Sequence, residues 1–314
     1  MTSVSDKAQR ASMIDQKIST QSWVMLGLLS LIWGGSFFFV GVAVQDLPAL
    51  LIVFARVGIA ALILIPIHVI TQGALPRDLK TWVACGGMAV LNNILPFTAI
   101  SWGQHYIGSG LAAVINATTP MFGALFMAVF GLERLSLRKG IALALGLVGV
   151  IILKGGSFGD LSVQSLGILA VAFASTCYGL STPWSKTRLV GIPPMTTATC
   201  QLTVSAVVMG LLAFGFSTPS LYFSASGSTW AALIAIASLS TAVAYLIFFK
   251  LINTAGPSFT VLVTMLVPIS AVILGVAFLH ETFSAHEFVG GTIIILALII
   301  IDGRALKRFG LKLA

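Results

Sequence analysis

Ten long apolar runs fill most of this 314-residue chain, and its basic residues fall almost entirely in every second gap between them. Of the 17 Lys and Arg, only two break the rule: Lys154 lies in the other set of gaps, and Arg56 sits inside a run. This is the positive-inside pattern of a polytopic membrane protein, whose basic loops stay on the cytoplasmic side during insertion. No soluble fold requires it. The runs span roughly residues 22–43, 49–71, 80–102, 107–130, 138–153, 166–186, 194–216, 229–251, 257–279 and 285–302. A membrane helix needs about 20 mainly apolar residues. The pattern therefore predicts an all-α integral membrane bundle of ten transmembrane helices.

Orientation follows from the charges. Lys7, Arg10 and Lys17 precede the first run, Arg77 and Lys80 fill the second gap, and Arg134, Arg138 and Lys139 the fourth. Lys186 and Arg188 follow the sixth run, Lys250 ends the eighth, and Arg304, Lys307, Arg308 and Lys312 close the chain. The chain is thus expected in the cytoplasmic (inner) membrane, with tails 1–21 and 304–314 both in the cytoplasm. The opposite gaps are neutral or acidic, with Asp46, Asp160, Glu281 and Glu287. The first apolar run is too long for a signal-peptide core and reads as a retained span.

Composition agrees. Hydrophobic residues make up 58% and charged residues 8%; a soluble chain of this length would carry about three times that charged fraction. The net charge of +8 does not point to nucleic acid, because it is scattered over loops without an aromatic platform. Cys85, Cys177 and Cys200 are an odd number inside apolar runs, the setting of thiols packed as small apolar groups rather than of disulfides or metal ligands.

The chain contains itself twice. Trp82, Leu91, Gly108, Pro120, Phe130, Glu133, Ser136 and Gly155 recur 148 positions on as Trp230, Leu239, Gly256, Pro268, Phe278, Glu281, Ser284 and Gly303. Upstream the offset is 145, relating Gly34, Ser36 and Pro48 to Gly179, Ser181 and Pro193. The two units, 22–154 and 166–303, each hold five spans. Five is odd, so the second unit enters the membrane from the opposite side. A 5+5 inverted repeat with a pseudo-two-fold axis in the membrane plane is a feature of secondary transporters.

Several segments carry a resemblance to a known family: LIWGGSFFFVG (31–41), PALLIVFARVGIAAL (48–62), the stretch from Leu111 to Leu153, and its second copy over 260–300. With these in order, the chain resembles the drug/metabolite transporter superfamily, in particular its EamA-type ten-helix members. That resemblance implies a ten-helix bundle around a central cavity. It also implies a cargo among amino acids, vitamins, nucleotide-like metabolites and drugs.

Candidate site residues are the polar groups inside the spans. Arg56 lies eight residues beyond Pro48, about 12 Å into the second span at 1.5 Å per residue. A membrane-embedded Arg is costly and is by default a functional candidate. It would either meet a substrate carboxylate or snorkel toward the outer surface, where Asp46 and Glu281 are the nearest acids. The repeat maps Arg56 onto Gln201. Asn92 and Asn116 fall mid-span, each four residues before a proline, Pro96 and Pro120. They would either hydrogen-bond a solute or tie helices together. Ser240 and Thr264 are their repeat equivalents, while Asn93 points elsewhere on its helix. Trp33 and Tyr178, equivalent across the repeat, suit a cavity wall that accepts a partly apolar solute. Phe37–Phe39 read as lipid contact, and Pro96, Pro120 and Pro268 as helix breaks or hinges. The small residues Gly140, Gly146, Gly149, Gly290 and Gly291 predict close packing of the fifth and tenth spans or a homodimer surface.

No carboxylate proton relay lies in the span cores. There is no Walker A motif, catalytic triad or HExxH set, so neither an enzyme nor a cofactor is expected. The expected function is a secondary transporter moving a small organic metabolite, an amino acid or related solute, outward by alternating access. Uptake of a vitamin or nucleotide-like metabolite is the alternative; a passive channel or an integral-membrane enzyme is the alternative of another class. The expected partners are the solute and the lipid bilayer, and not nucleic acid.

Overall fold

The computed structural model describes residues 19–155 and 162–303. Most of the predicted N-terminal tail, the whole C-terminal tail and Asp160 lie outside the described residues. Within them the chain is helical, without strands. Ten helices run in order: α1 (Thr20–Ala43), α2 (Ala49–Gln72), α3 (Leu79–Gly103), α4 (Ser109–Val129), α5 (Leu137–Leu153), α6 (Val163–Arg188), α7 (Pro194–Phe216), α8 (Gly227–Ala255), α9 (Val263–Leu279) and α10 (Ala285–Asp302). Eight of them are both long and apolar enough to cross a membrane; α5 and α9, at 17 residues each, are shorter. Large apolar side chains such as Leu62, Ile70, Leu211 and Phe216 point outward, a surface that only lipid solvates.

The repeat is written first in helix punctuation. Ser136 and Ser284, equivalent by 148 positions, are the N-caps of α5 and α10. Gly155 and Gly303, also equivalent, close those helices at φ 81° and 72°, where a residue with a Cβ is strained. Packing then obeys a two-fold rule. Helix α1 packs on α8 and α9, and its equivalent α6 on α3 and α4. Helices α2 and α7 pack on each other, as do α5 and α10, so these two pairs straddle the axis. Glu281 hydrogen-bonds the start of α4, whereas Glu133 follows its end. The two equivalent acids therefore lie at opposite ends of the bundle, as an inverted repeat demands.

Of the predicted small residues of α5 and α10, Gly146, Gly149, Gly290 and Gly291 pack inside the chain, whereas Gly140 faces open space. A Cβ on Gly149 would lie 3.0 Å from the carbonyl oxygen of Gly290, and one on Gly290 2.7 Å from that of Gly149. The two backbones touch, so nothing larger fits.

The helix breaks expected at the prolines are placed differently by the structure. Helix α3 contains a wide π turn at Val90–Ile94 and α8 one at Ser238–Val243, again 148 positions apart. Pro96 follows the first, but Ala244 stands at the equivalent place after the second, so proline alone does not cause it. Pro120 sits in the first turn after an interruption of α4 at Ala117–Thr118. Pro268, by contrast, lies inside a continuous α9; the interruption on that side is at Val261–Leu262, after the single turn Pro257–Thr260. The break expected at Pro268 is therefore displaced toward the start of α9.

At the end away from the basic loops, Asp46 in the α1–α2 turn accepts from the Ser226 amide at 2.9 Å and from the Ser226 and Thr229 hydroxyls at 2.6 Å. These donors hold its carboxyl down to about 2 from the ordinary value of 3.8. A lowered folded-state value means the contribution is complete above the unfolded-state value of about 3.9 and fades as pH falls through the folded one. The thermal midpoint of Asp46→Asn should therefore trail that of the parent at pH 6 and converge with it toward pH 2, in a melt followed by circular dichroism.

Candidate functional site

A cavity of about 720 Å³ lies between the two repeats. Its wall includes Trp33 of α1, Arg56 of α2, Asn92 of α3, Asn116 of α4, Tyr178 of α6, Gln201 of α7, Ser240 of α8, and Thr264 and Pro268 of α9. The structure thus brings together every polar and aromatic side chain that the sequence singled out for a solute path. Pro96 and Pro120 are not part of that wall. Lys186, Val190, Ile192, Ile252 and Asn253 also line it, so the cavity extends to the basic-loop end, between the α6–α7 and α8–α9 connections.

Arg56 neither snorkels nor reaches Asp46 or Glu281. It is 8% exposed. Its guanidinium carbon stands 3.5 Å from the centroid of the Phe97 ring, and its Nε donates to Thr241 Oγ1 at 3.1 Å. Among the described residues the ion pairs are those of Glu133 with Lys139 and Lys186, and neither involves Arg56. A buried cation without an anion is expensive unless something else solvates it. The aromatic face supplies part of that, and the cavity is where an anion can arrive.

Gln201 repeats the arrangement without the charge. Its Nε2 donates to the Tyr245 hydroxyl at 2.9 Å, and Asn92 Nδ2 donates to the same oxygen at 3.2 Å. Tyr245 is the 148-position equivalent of Phe97, as Gln201 is the equivalent of Arg56 at 145. The sequence did not single out Phe97, Thr241 and Tyr245 for the site, although the 148-position offset pairs Phe97 with Tyr245 as the 145-position offset pairs Arg56 with Gln201. Two equivalent pairs, Arg56 on Phe97 in the first half and Gln201 on Tyr245 in the second, face one cavity, one charged and one neutral.

The remaining groups divide by what they leave free. The Oδ1 of Asn116 and Oε1 of Gln201 are buried without a hydrogen-bond partner; such acceptors are costly unless something donates to them. Ser240 donates its hydroxyl to the Ile32 carbonyl at 2.8 Å and Thr264 to that of Val261 at 2.8 Å, so both present only lone pairs. Asn93 is fully buried and donates to Ser205 Oγ at 3.1 Å, away from the cavity. Trp33 and Phe248 form an aromatic pair, centroids 5.4 Å apart. Phe37, expected to meet lipid, is buried and lines the cavity instead.

Ten helices in two equivalent units around a central cavity define a multi-pass membrane protein of the two-repeat transporter class. A match to the EamA-like transporter family covers residues 21–154 and again 165–302, and the chain belongs to that family. It is 26% identical over 296 residues to the uncharacterized transporter YvbV of Bacillus subtilis, covering 91% of this chain and 93% of that one. It is 24% identical over 274 residues to the uncharacterized inner membrane transporter YedA of Escherichia coli K12, covering 87% and 88%. A protein of Streptantibioticus cattleyicolor named as a probable terminal-alkyne amino-acid exporter is 25% identical over 237 residues, covering 74% and 76%. One crystal structure shares the fold with a TM-score of 0.63 at 18% identity, over 93% of this chain and 99% of that one.

Proposed function

We propose that this transporter carries a small organic carboxylate, an amino acid or a related solute, outward across the cytoplasmic membrane by alternating access, with both termini in the cytoplasm. The observation that carries the reading is Arg56: a buried cation without an acidic partner among the described residues, seated on Phe97 at the wall of the cavity between the repeats. A substrate carboxylate supplies the missing anion through a charge-assisted hydrogen bond. The unpartnered acceptors on Asn116 and Gln201, once turned to the cavity, suit the ammonium of the same solute. Trp33, Tyr178 and Phe248 suit its apolar body. The amino-acid exporter among the relatives supports the cargo class, and the basic loops support the orientation. The cavity is lined by no carboxylate among the described residues, so recognition falls to these neutral groups and the buried Arg56 cation, with Lys186 at the mouth, and no catalytic role is assigned.

Counterflow in proteoliposomes tests this. Vesicles loaded with unlabelled amino acids should accumulate the labelled substrate transiently, and the corresponding amino-acid amides, which lack the carboxylate, should compete poorly. Conductance without counterflow would make the chain a channel. Counterflow confined to uncharged solutes would remove the carboxylate from the reading.

A further inference from the structure

The end of the bundle opposite the basic loops is tied across the two halves by two carboxylates. Glu281, in the α9–α10 turn of the second half, accepts from the amides of Ser109 and Gly110 at the start of α4 in the first. Asp46, in the α1–α2 turn of the first half, accepts from Ser226 and Thr229 at the start of α8 in the second. Each tie is charge-assisted and ends at a helix start, Glu281 on two backbone N–H groups and Asp46 on one backbone N–H and two hydroxyls.

The repeat says what the same ties would be at the basic end, and the sequence does not supply them. The equivalent of Asp46 is Gly191, which has no side-chain acceptor. The equivalent of Ser226 is Asp78, which caps its own helix by accepting from the Thr81 amide at 2.7 Å. The equivalent of Ser109 is Pro257, which has no N–H to give. Glu133, the equivalent of Glu281, bonds instead to the ammonium groups of Lys139 at 2.9 Å and Lys186 at 3.4 Å, both partly exposed and thus weak. The cavity runs out at this end.

We infer that Glu281 and Asp46 latch the end opposite the basic loops, and that the absence of their repeat equivalents at the basic end biases the resting transporter toward a cavity open on the basic side. This rests on the alternating-access reading. An inverted repeat makes two mirror conformations from one chain. Were the halves identical, the two would be equal in energy. The latch asymmetry breaks that equality, and one lost charge-assisted tie is enough to shift the balance about tenfold.

The test reads conformation rather than cargo. Cys85, Cys177 and Cys200 are first replaced by Ala, and Ser36, on the cavity wall, becomes the reporter as Ser36→Cys. Sided vesicles are treated with a membrane-impermeant maleimide. The parent should label from the basic-loop face. Glu281→Gln and Asp46→Asn should each raise labelling from the opposite face, and the double variant should do so about tenfold or more. Glu133→Gln should leave labelling on the basic face. Parent-like labelling of the folded single and double variants would overturn the latch, as would an equal shift in Glu133→Gln. A chain that exchanges no amino acid can still show the shift, and one that lacks the shift can still exchange. The latch and the cargo therefore fail separately.

Discussion

Replacing Arg56 by Gln should lower exchange of carboxylate solutes about 10- to 100-fold, because a hydrogen bond to a charged group contributes roughly 1.5–3 kcal/mol. The substitution copies into the first half what the second half already has, a neutral amide beside an aromatic ring at Gln201 and Tyr245. It removes charge while keeping a donor of similar length. Because the cation is unpaired by any described acid, its loss strands no buried carboxylate, and the folded protein should gain rather than lose thermal stability. Counterflow measured beside a thermal melt separates the two effects. Weak exchange in a well-folded Arg56→Gln protein assigns the guanidinium to the cargo. Unchanged exchange of carboxylates would move the site elsewhere. Uptake of the matching amides should fall much less than that of the acids.

The largest structural effect is expected at two glycines that the repeat makes equivalent. A Cβ on Gly34 in α1 would sit 2.9 Å from the Ala271 amide nitrogen in α9, and one on Gly179 in α6 would sit 2.8 Å from the Phe122 carbonyl carbon and 2.9 Å from the Gly123 amide nitrogen in α4. Ala271 and Gly123 are themselves 148 positions apart. At each crossing, therefore, a helix of one half lies directly on the backbone of a helix of the other, and a backbone cannot swing aside as a side chain can. Gly34→Val and Gly179→Val should each cost about 1–3 kcal/mol or more through overpacking. They should lower the thermal midpoint and the yield of monodisperse protein. Gly27→Val is the control, since nothing lies within 4 Å of its Cβ position. Equal behaviour of all three variants in size-exclusion chromatography and melting would contradict the close helix crossings. Because both crossings join the two halves, milder Gly→Ala changes should also slow exchange.

Much of this was legible in the residue order. The spans and the two units follow from apolar length, alternating charge and two fixed offsets, and the ten helices keep the order of the apolar runs. The depth of Arg56 and its pairing with Gln201 were equally plain, because both are positions along a helix. Its direction was not. Snorkelling and facing inward leave the same mark on a sequence, and the choice was made by the Phe97 ring and the Thr241 hydroxyl, which come from helices far along the chain. The same holds for Phe37, whose ring faces the cavity because of how α1 is turned against its neighbours.

What the sequence determined by itself is therefore one-dimensional: which stretches cross, how often, in what order and with what internal echo. Lipid imposes this, since every crossing must satisfy its own backbone and hide its charges. Only the tertiary structure decided the rotation of each helix about its axis, the π turns at Val90–Ile94 and Ser238–Val243, and the meeting of Asn92 and Gln201 on the Tyr245 hydroxyl. With apolar residues on all sides of a span, no face is marked as inward, and contacts between distant helices set the one that is.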